Sequence, residues 1–160
     1  MNTDIRSQVI DRLKSYPELV KKRDILRYEL EHPTEVSDNE MLEAMSFLKG
    51  SGGVPLSGVS NKTLYIALNY HDAADRLNTD TRNELVKRLL PLENEISKLE
   101  YYVKMLSERE QSILRKCFFE GKPQQDVAVE LGVTAWTIRK YRDQAVNKLV
   151  EMYAFAEGKI

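Results

Sequence analysis

The 160-residue sequence predicts an all-α protein, and three observations carry that expectation. Apolar residues recur at three- and four-residue spacing through nearly every segment, the period of a helix face. Serine or threonine stands at the capping position ahead of several of these runs, twice as Ser-x-x-Glu. Near the C-terminus two runs are separated by a short turn at Gly132, a residue suited to the left-handed conformation where a helix stops.

Taken in order, Ile5, Val9, Ile10 and Leu13 give an amphipathic opening helix. Tyr16-Pro17 interrupts it, and Pro17 starts a second helix that runs to about Glu31 on Leu19, Val20, Leu26 and Leu30. His32-Pro33 ends that helix. Ser37-Asp-Asn-Glu40 is a capping box for a helix to about Lys49 on Met41, Leu42, Met45 and Leu48. Gly50 to Gly58 holds four of the seven glycines. It lacks the Lys-Ser/Thr ending of a phosphate-binding loop, so residues 50–59 read as a mobile connector. Ser60 caps a helix through Leu64, Ala67, Leu68, Ala74 and Leu77, and Asn78-Thr-Asp-Thr81 marks a turn and a fresh start.

The helix expected over 82–106 has the clearest periodicity. Leu85, Leu89, Leu92, Ile96, Leu99, Val103 and Leu106 alternate spacings of four and three, an a/d heptad seam. Pro91 sits inside it, and the unbroken phase predicts a kink rather than a new helix. The seam packs either on the chain's own N-terminal helices or on a second copy, as an oligomerisation surface in a homodimer. Both readings stay open at this point.

Ser107-Glu-Arg-Glu110 is the second capping box, opening a helix through Ile113, Leu114, Cys117 and Phe118 that Gly121 closes. Pro123 opens the next helix as its first residue, and Gly132 ends it. Thr134 then caps a helix over 135–152. Val127, Ala128 and Leu131 with Val133, Ile138, Ala145 and Leu149 form one small core. Met152, Tyr153 and Phe155 continue as an apolar tail. This is a helix-turn-helix, and the start of its second helix presents hydroxyl, aromatic and basic groups suited to a major groove.

Net charge is −1, which by itself does not mark a nucleic-acid binder. The charge is unevenly placed. Between Ala135 and Leu149 stand Arg139, Lys140, Arg142 and Lys148 against Asp143 alone, a local +3. Screening limits each charge to about 8–10 Å, so such a stripe acts within a neutral protein. The DNA-binding candidates are Gln124, Gln125, Thr134, Ala135, Trp136, Thr137, Arg139, Lys140, Arg142 and Lys148. Trp136 suits a thymine methyl or sugar, and Arg139 and Lys140 suit base edges or nearby phosphates. Arg142 and Lys148 suit phosphates alone, and Gln124 and Gln125 suit a phosphate at a helix start. Arg115, Lys116 and Lys122 are placed for the flanking backbone or a protein partner.

Catalytic, metal and cofactor chemistry finds no pattern. His32 and His71 lack a ligand spacing, and Cys117 has no histidine partner and reads as a core residue. A single cysteine excludes an internal disulfide and fits a reducing cytoplasm. No run approaches the ~18–20 apolar residues of a membrane span, and no signal peptide is evident.

Leu106-Ser-Glu-Arg-Glu-Gln-Ser-Ile-Leu, Phe119-Glu-Gly, Asp126-Val-Ala, Leu131-Gly-Val-Thr, Thr137-Ile-Arg and Ala145-Val-Asn-Lys-Leu149 together resemble region 4 of sigma-70 factors. The resemblance implies that residues 106–160 form a domain that reads promoter DNA and touches RNA polymerase. Pro123, and Ala135 with Trp136 at the head of the reading helix, depart from the family pattern, so the site read is expected to differ from a standard promoter element. The helical 1–105 region, expected to serve interaction or oligomerisation, is similar in layout to that of phage and prophage regulators of the ArpU and RinA type. The resulting expectation is a cytoplasmic, non-enzymatic transcription regulator with double-stranded DNA as partner. The rivals are a DNA-packaging protein like a small terminase subunit and a polymerase-binding module that never touches DNA.

Overall fold

The computed structural model describes residues 2–34, 37, 39–40 and 61–159, with the backbone alone for residues 2 and 61–70. Every regular element among them is helical, as the sequence predicts: α1 (Asn2–Glu31), α2 (Asn61–Lys104), α3 (Glu108–Leu114) running into a π-helical turn (Arg115–Phe119), α4 (Gln124–Leu131) and α5 (Ala135–Ala156). The expected helix over 41–49, the 50–59 connector and the Ser60 cap lie outside the described residues, as do the side chains of Leu64, Ala67 and Leu68. The capping box ahead of them is formed. Ser37 N donates to Glu40 Oε2 at 3.0 Å, and Glu40 N to Ser37 Oγ at 3.2 Å.

Two expected breaks are not breaks: α1 passes through Pro17, and Asn78 to Thr81 lies inside α2. At Pro91 no new helix starts, as the unbroken phase predicts, and α2 runs on. A proline removes one backbone bond, and the turns on either side keep theirs. Pro91 and Lys87, whose carbonyl loses its usual donor, are both exposed, so water can replace the missing N–H. Thr81 does not open a new helix. Its hydroxyl donates back to the Leu77 carbonyl at 2.9 Å, the bond a mid-helix threonine makes.

The chain groups into two compact units, Met1–Asp24 with Leu90–Ile160, and Ile25–Leu89. In the second, Leu26 and Ala74 are buried. Leu30, Pro33 and Thr34 face Asn78, Thr81 and Leu85 across a cleft of about 90 Å³.

The first unit holds two cores. One joins Ile5, Val9 and Leu13 of α1 to Leu99, Val103 and Leu106, and to Ala145, Val146, Leu149 and Tyr153 of α5. The heptad seam is thus filled by the chain's own helices over its C-terminal half: Ile96, Leu99 and Val103 are 1%, 1% and 2% exposed. Tyr16 extends this packing. Its ring stacks on Phe119 at 4.0 Å, and its hydroxyl donates to Glu100. Burial, then the Glu100 carboxylate, pushes that hydroxyl up to about 12. The second core is Ile113, Val127, Ala128 and Ile138, with Cys117, Val133 and Tyr141 against it. The single core expected for the helix-turn-helix is therefore divided. Ala145 and Leu149 belong with α1, and Leu131, expected inside, is 37% exposed. Tyr153 packs inward as part of α5, while Phe155 is exposed.

Candidate nucleic-acid interface

α3 begins with its capping box closed: Ser107 N donates to Glu110 Oε2, and Glu110 N to Ser107 Oγ. The π-helical turn that follows carries Phe118 and Phe119 to the first core and Cys117 to the second. Burial pushes the Cys117 thiol up, against the pull of Arg142, so it stays protonated and packs as an apolar group. Pro123 is the N-cap of α4 rather than its first residue, and makes no side-chain cap. Lys116 and Lys122 both bind Glu130, at 2.5 and 2.7 Å. Their hydrogen bonds hold the Glu130 carboxyl down to about 2. These two lysines tie the turn to α4 and are not free cations.

The turn itself follows from Gly132. Its φ of 65° and ψ of 33° let Val133 N reach Ala128 O at 3.0 Å and Gly132 N reach Val129 O at 3.3 Å, a Schellman pair. A Cβ at Gly132 would meet nothing within 4 Å, so the constraint is the backbone alone. Gly132→Ala is expected to cost about 1–2 kcal/mol, read as a lower denaturation midpoint with an unchanged m-value. Thr134 then caps α5, its Oγ1 accepting from Thr137 N at 3.2 Å.

The first turns of α5 present the expected groups. Thr134, Ala135, Trp136, Arg139 and Lys140 are exposed and Thr137 is half-buried. Trp136 is 68% exposed. Lys140 Nζ lies 5.3 Å from the centroid of its ring, one helical turn away, so the two form one cation–π unit at the head of the helix.

The other predicted residues are placed differently. Arg142 is mostly covered and lies 3.4 Å from Asp143. Lys148 donates to the buried Glu110 at 2.7 Å. Gln124 and Gln125 stand in the first turn of α4, half-buried and exposed respectively. Two cations beside α5 escaped the sequence reading. Arg109 stacks on Tyr141 at 4.7 Å, and Arg6 of α1 reaches Asp143 at 3.6 Å and donates to Asn147. The Arg109 contact joins residues 32 apart and the Arg6 contact residues 141 apart, beyond the reach of any local spacing rule.

Among the described residues no group of three or more His, Cys, Asp or Glu could hold a metal ion, and no helix is long and apolar enough to cross a membrane.

Residues 103–151, just under a third of the chain, match the family model of sigma-70, region 4. The matched segment spans the end of α2, α3, the π-helical turn, α4 and most of α5. Its geometry is that of a helix-turn-helix, and the match suggests a module of a DNA-binding, regulatory kind. No curated protein and no solved structure gives a match.

Proposed function

We propose that this protein is a sequence-specific DNA-binding regulator of transcription that reads the major groove with the first turns of α5. The observation that carries this reading is the exposed Trp136–Lys140 pair beside Arg139, on a helix held by the Gly132 turn and the Thr134 cap. The match to sigma-70, region 4 supports it. Residues 106–160 are the DNA-binding part in this proposal. The 1–105 region supplies a buttress, since Ile5, Val9 and Leu13 pack on α5 and on the seam. Arg139 and Lys140 take base edges or adjacent phosphates, and Thr134, Ala135 and Thr137 line the approach. Arg142, Gln124 and Gln125 take backbone phosphates.

A contact with RNA polymerase is part of the same proposal, and the match to sigma-70, region 4 is what supports it. The pairing of a sigma-like module with a helical N-terminal region suits a phage- or prophage-encoded activator acting in the cytoplasm.

The test begins with selection of bound duplexes from random DNA. Trp136 is the only tryptophan, so its fluorescence is expected to change on binding. Lys140→Ala or Trp136→Ala should cost about 1–3 kcal/mol on the selected site and much less on random DNA. Arg142→Ala should weaken all sequences alike and lower the slope of log affinity against log salt by about 0.9. If none of the three changes binding to the selected site, α5 is not the reader and this function is wrong.

A further inference from the structure

We propose that Arg6, on the N-terminal helix, is a DNA-backbone contact that completes the interface at the far end of the reading helix. The inference rests on α5 being the DNA reader. Trp136, Lys140, Asp143 and Asn147 follow spacings of four, three and four, so they lie along one face of α5. From Trp136 to Asp143 the helix rises about 10 Å, and the major groove is about 8.5 Å deep. A helix that enters the groove by its N-terminal end, with its first turn at the base edges, carries Asp143 and Asn147 out to the level of the phosphates.

At that level this face of α5 offers a carboxylate and an amide, and Arg142, which lies 3.4 Å from Asp143, is mostly covered. Arg6 alters that face. One nitrogen of its guanidinium donates to Asn147, and the other lies 3.6 Å from Asp143 Oδ1. The only acidic side chain between Ala135 and Leu149 thus has a second cation beside it, after Arg142. The guanidinium has five N–H donors in a planar fork, the shape that engages a phosphate with two parallel bonds. Its side chain is 37% exposed, so part of the fork still faces water.

Arg6 is also held in place. Ile5 and Val9, on the same turns of α1, are 4% and 0% exposed. Their burial fixes this end of α1 on the core it shares with α5. Asp4, the charged residue of α1 nearest to Arg6 in sequence, is exposed and accepts from Gln8 at 3.2 Å within its own helix. α1 is therefore part of the DNA-facing surface as well as a support for the core.

The experiment measures binding of the full chain to a selected duplex and to a random duplex across a salt series. Arg6→Gln should lower the salt slope by about 0.9 on both duplexes. It should weaken binding several-fold at low salt and leave the thermal midpoint within a few degrees. Arg6→Lys should keep the slope, because the charge remains. The decisive comparison uses Asp143→Asn, which removes the ion pair. Arg6→Gln should lower the slope in that background too, because the phosphate contact does not depend on Asp143. A residue that merely clasps α1 to α5 would shift the thermal midpoint and leave the slope unchanged in both backgrounds. That result overturns the proposal. If Lys140→Ala still weakens the selected site while Arg6→Gln leaves the slope alone, α5 stands as the reader and only the Arg6 contact falls. If the wild-type chain binds neither duplex, both fall.

Discussion

Leu99→Asp is expected to unfold the unit built from Met1–Asp24 and Leu90–Ile160, and to do so equally at every protein concentration. Leu99 is 1% exposed and shares a core with Val9, Leu13 and Leu149. The substitution removes a leucine from a packed site, about 2–5 kcal/mol, and leaves a carboxylate without a partner. A native domain is stable by only about 5–15 kcal/mol, so the loss consumes most of the margin. Helical content is expected to collapse, and melts at two concentrations tenfold apart should coincide. A seam that pairs between chains predicts the opposite. The variant would be a folded monomer, and the wild-type midpoint would rise with concentration. Sedimentation of both proteins separates the two outcomes.

What could be read from the sequence was local. The Ser107–Glu110 capping box, the Gly132 turn and the Thr134 cap each depend on a few adjacent residues, and all three have the expected geometry. Pro17 misled the reading because a proline's cost is also local, while the compensation is not. Pro17 removes one bond from a thirty-residue helix whose Val9 and Leu13 are held by residues some ninety to a hundred and forty positions away. Asn78 and Thr81 are turn formers by propensity, yet α2 continues through them. The apolar pattern could show that Leu99 and Val103 face something and could not show what. Period identifies a face and leaves its partner open. The same limit applies to the interface. The Trp136–Lys140 pair was within reach, since its members are one helical turn apart. Arg6 was not, because its place beside Asp143 is set by the packing of α1.

Glu110 is the residue whose replacement should separate these two kinds of information. The sequence marks it as the second half of a capping box. The structure gives it a further partner on α5: it is 3% exposed, and Lys148 Nζ lies 2.7 Å from its Oε1. Burial acts to raise its carboxyl pKa. The Lys148 and Ser107 hydrogen bonds outweigh burial and leave the pKa below the usual carboxylate value. A folded pKa below the unfolded one stabilises at all pH values above the unfolded pKa, about 4.3, and that contribution disappears as pH falls through the folded value. Glu110→Gln keeps an acceptor for Ser107 N and loses the charge opposite Lys148, so near neutrality it should cost about 1.5–3 kcal/mol. Glu110→Ala loses the cap as well, about 1 kcal/mol more. The gap between wild type and Glu110→Gln should narrow steadily below about pH 4, while the gap between Glu110→Gln and Glu110→Ala should stay constant. Lys148→Met should cost stability at neutral pH through the unpaired Glu110 carboxylate, and that cost should fade in acid as Glu110 takes up its proton. Midpoints of the four proteins, measured from neutral pH into acid, test this directly. A wild-type to Glu110→Gln gap that does not change with pH would mean that Lys148 leaves the carboxyl unperturbed and that Glu110 serves only as a cap.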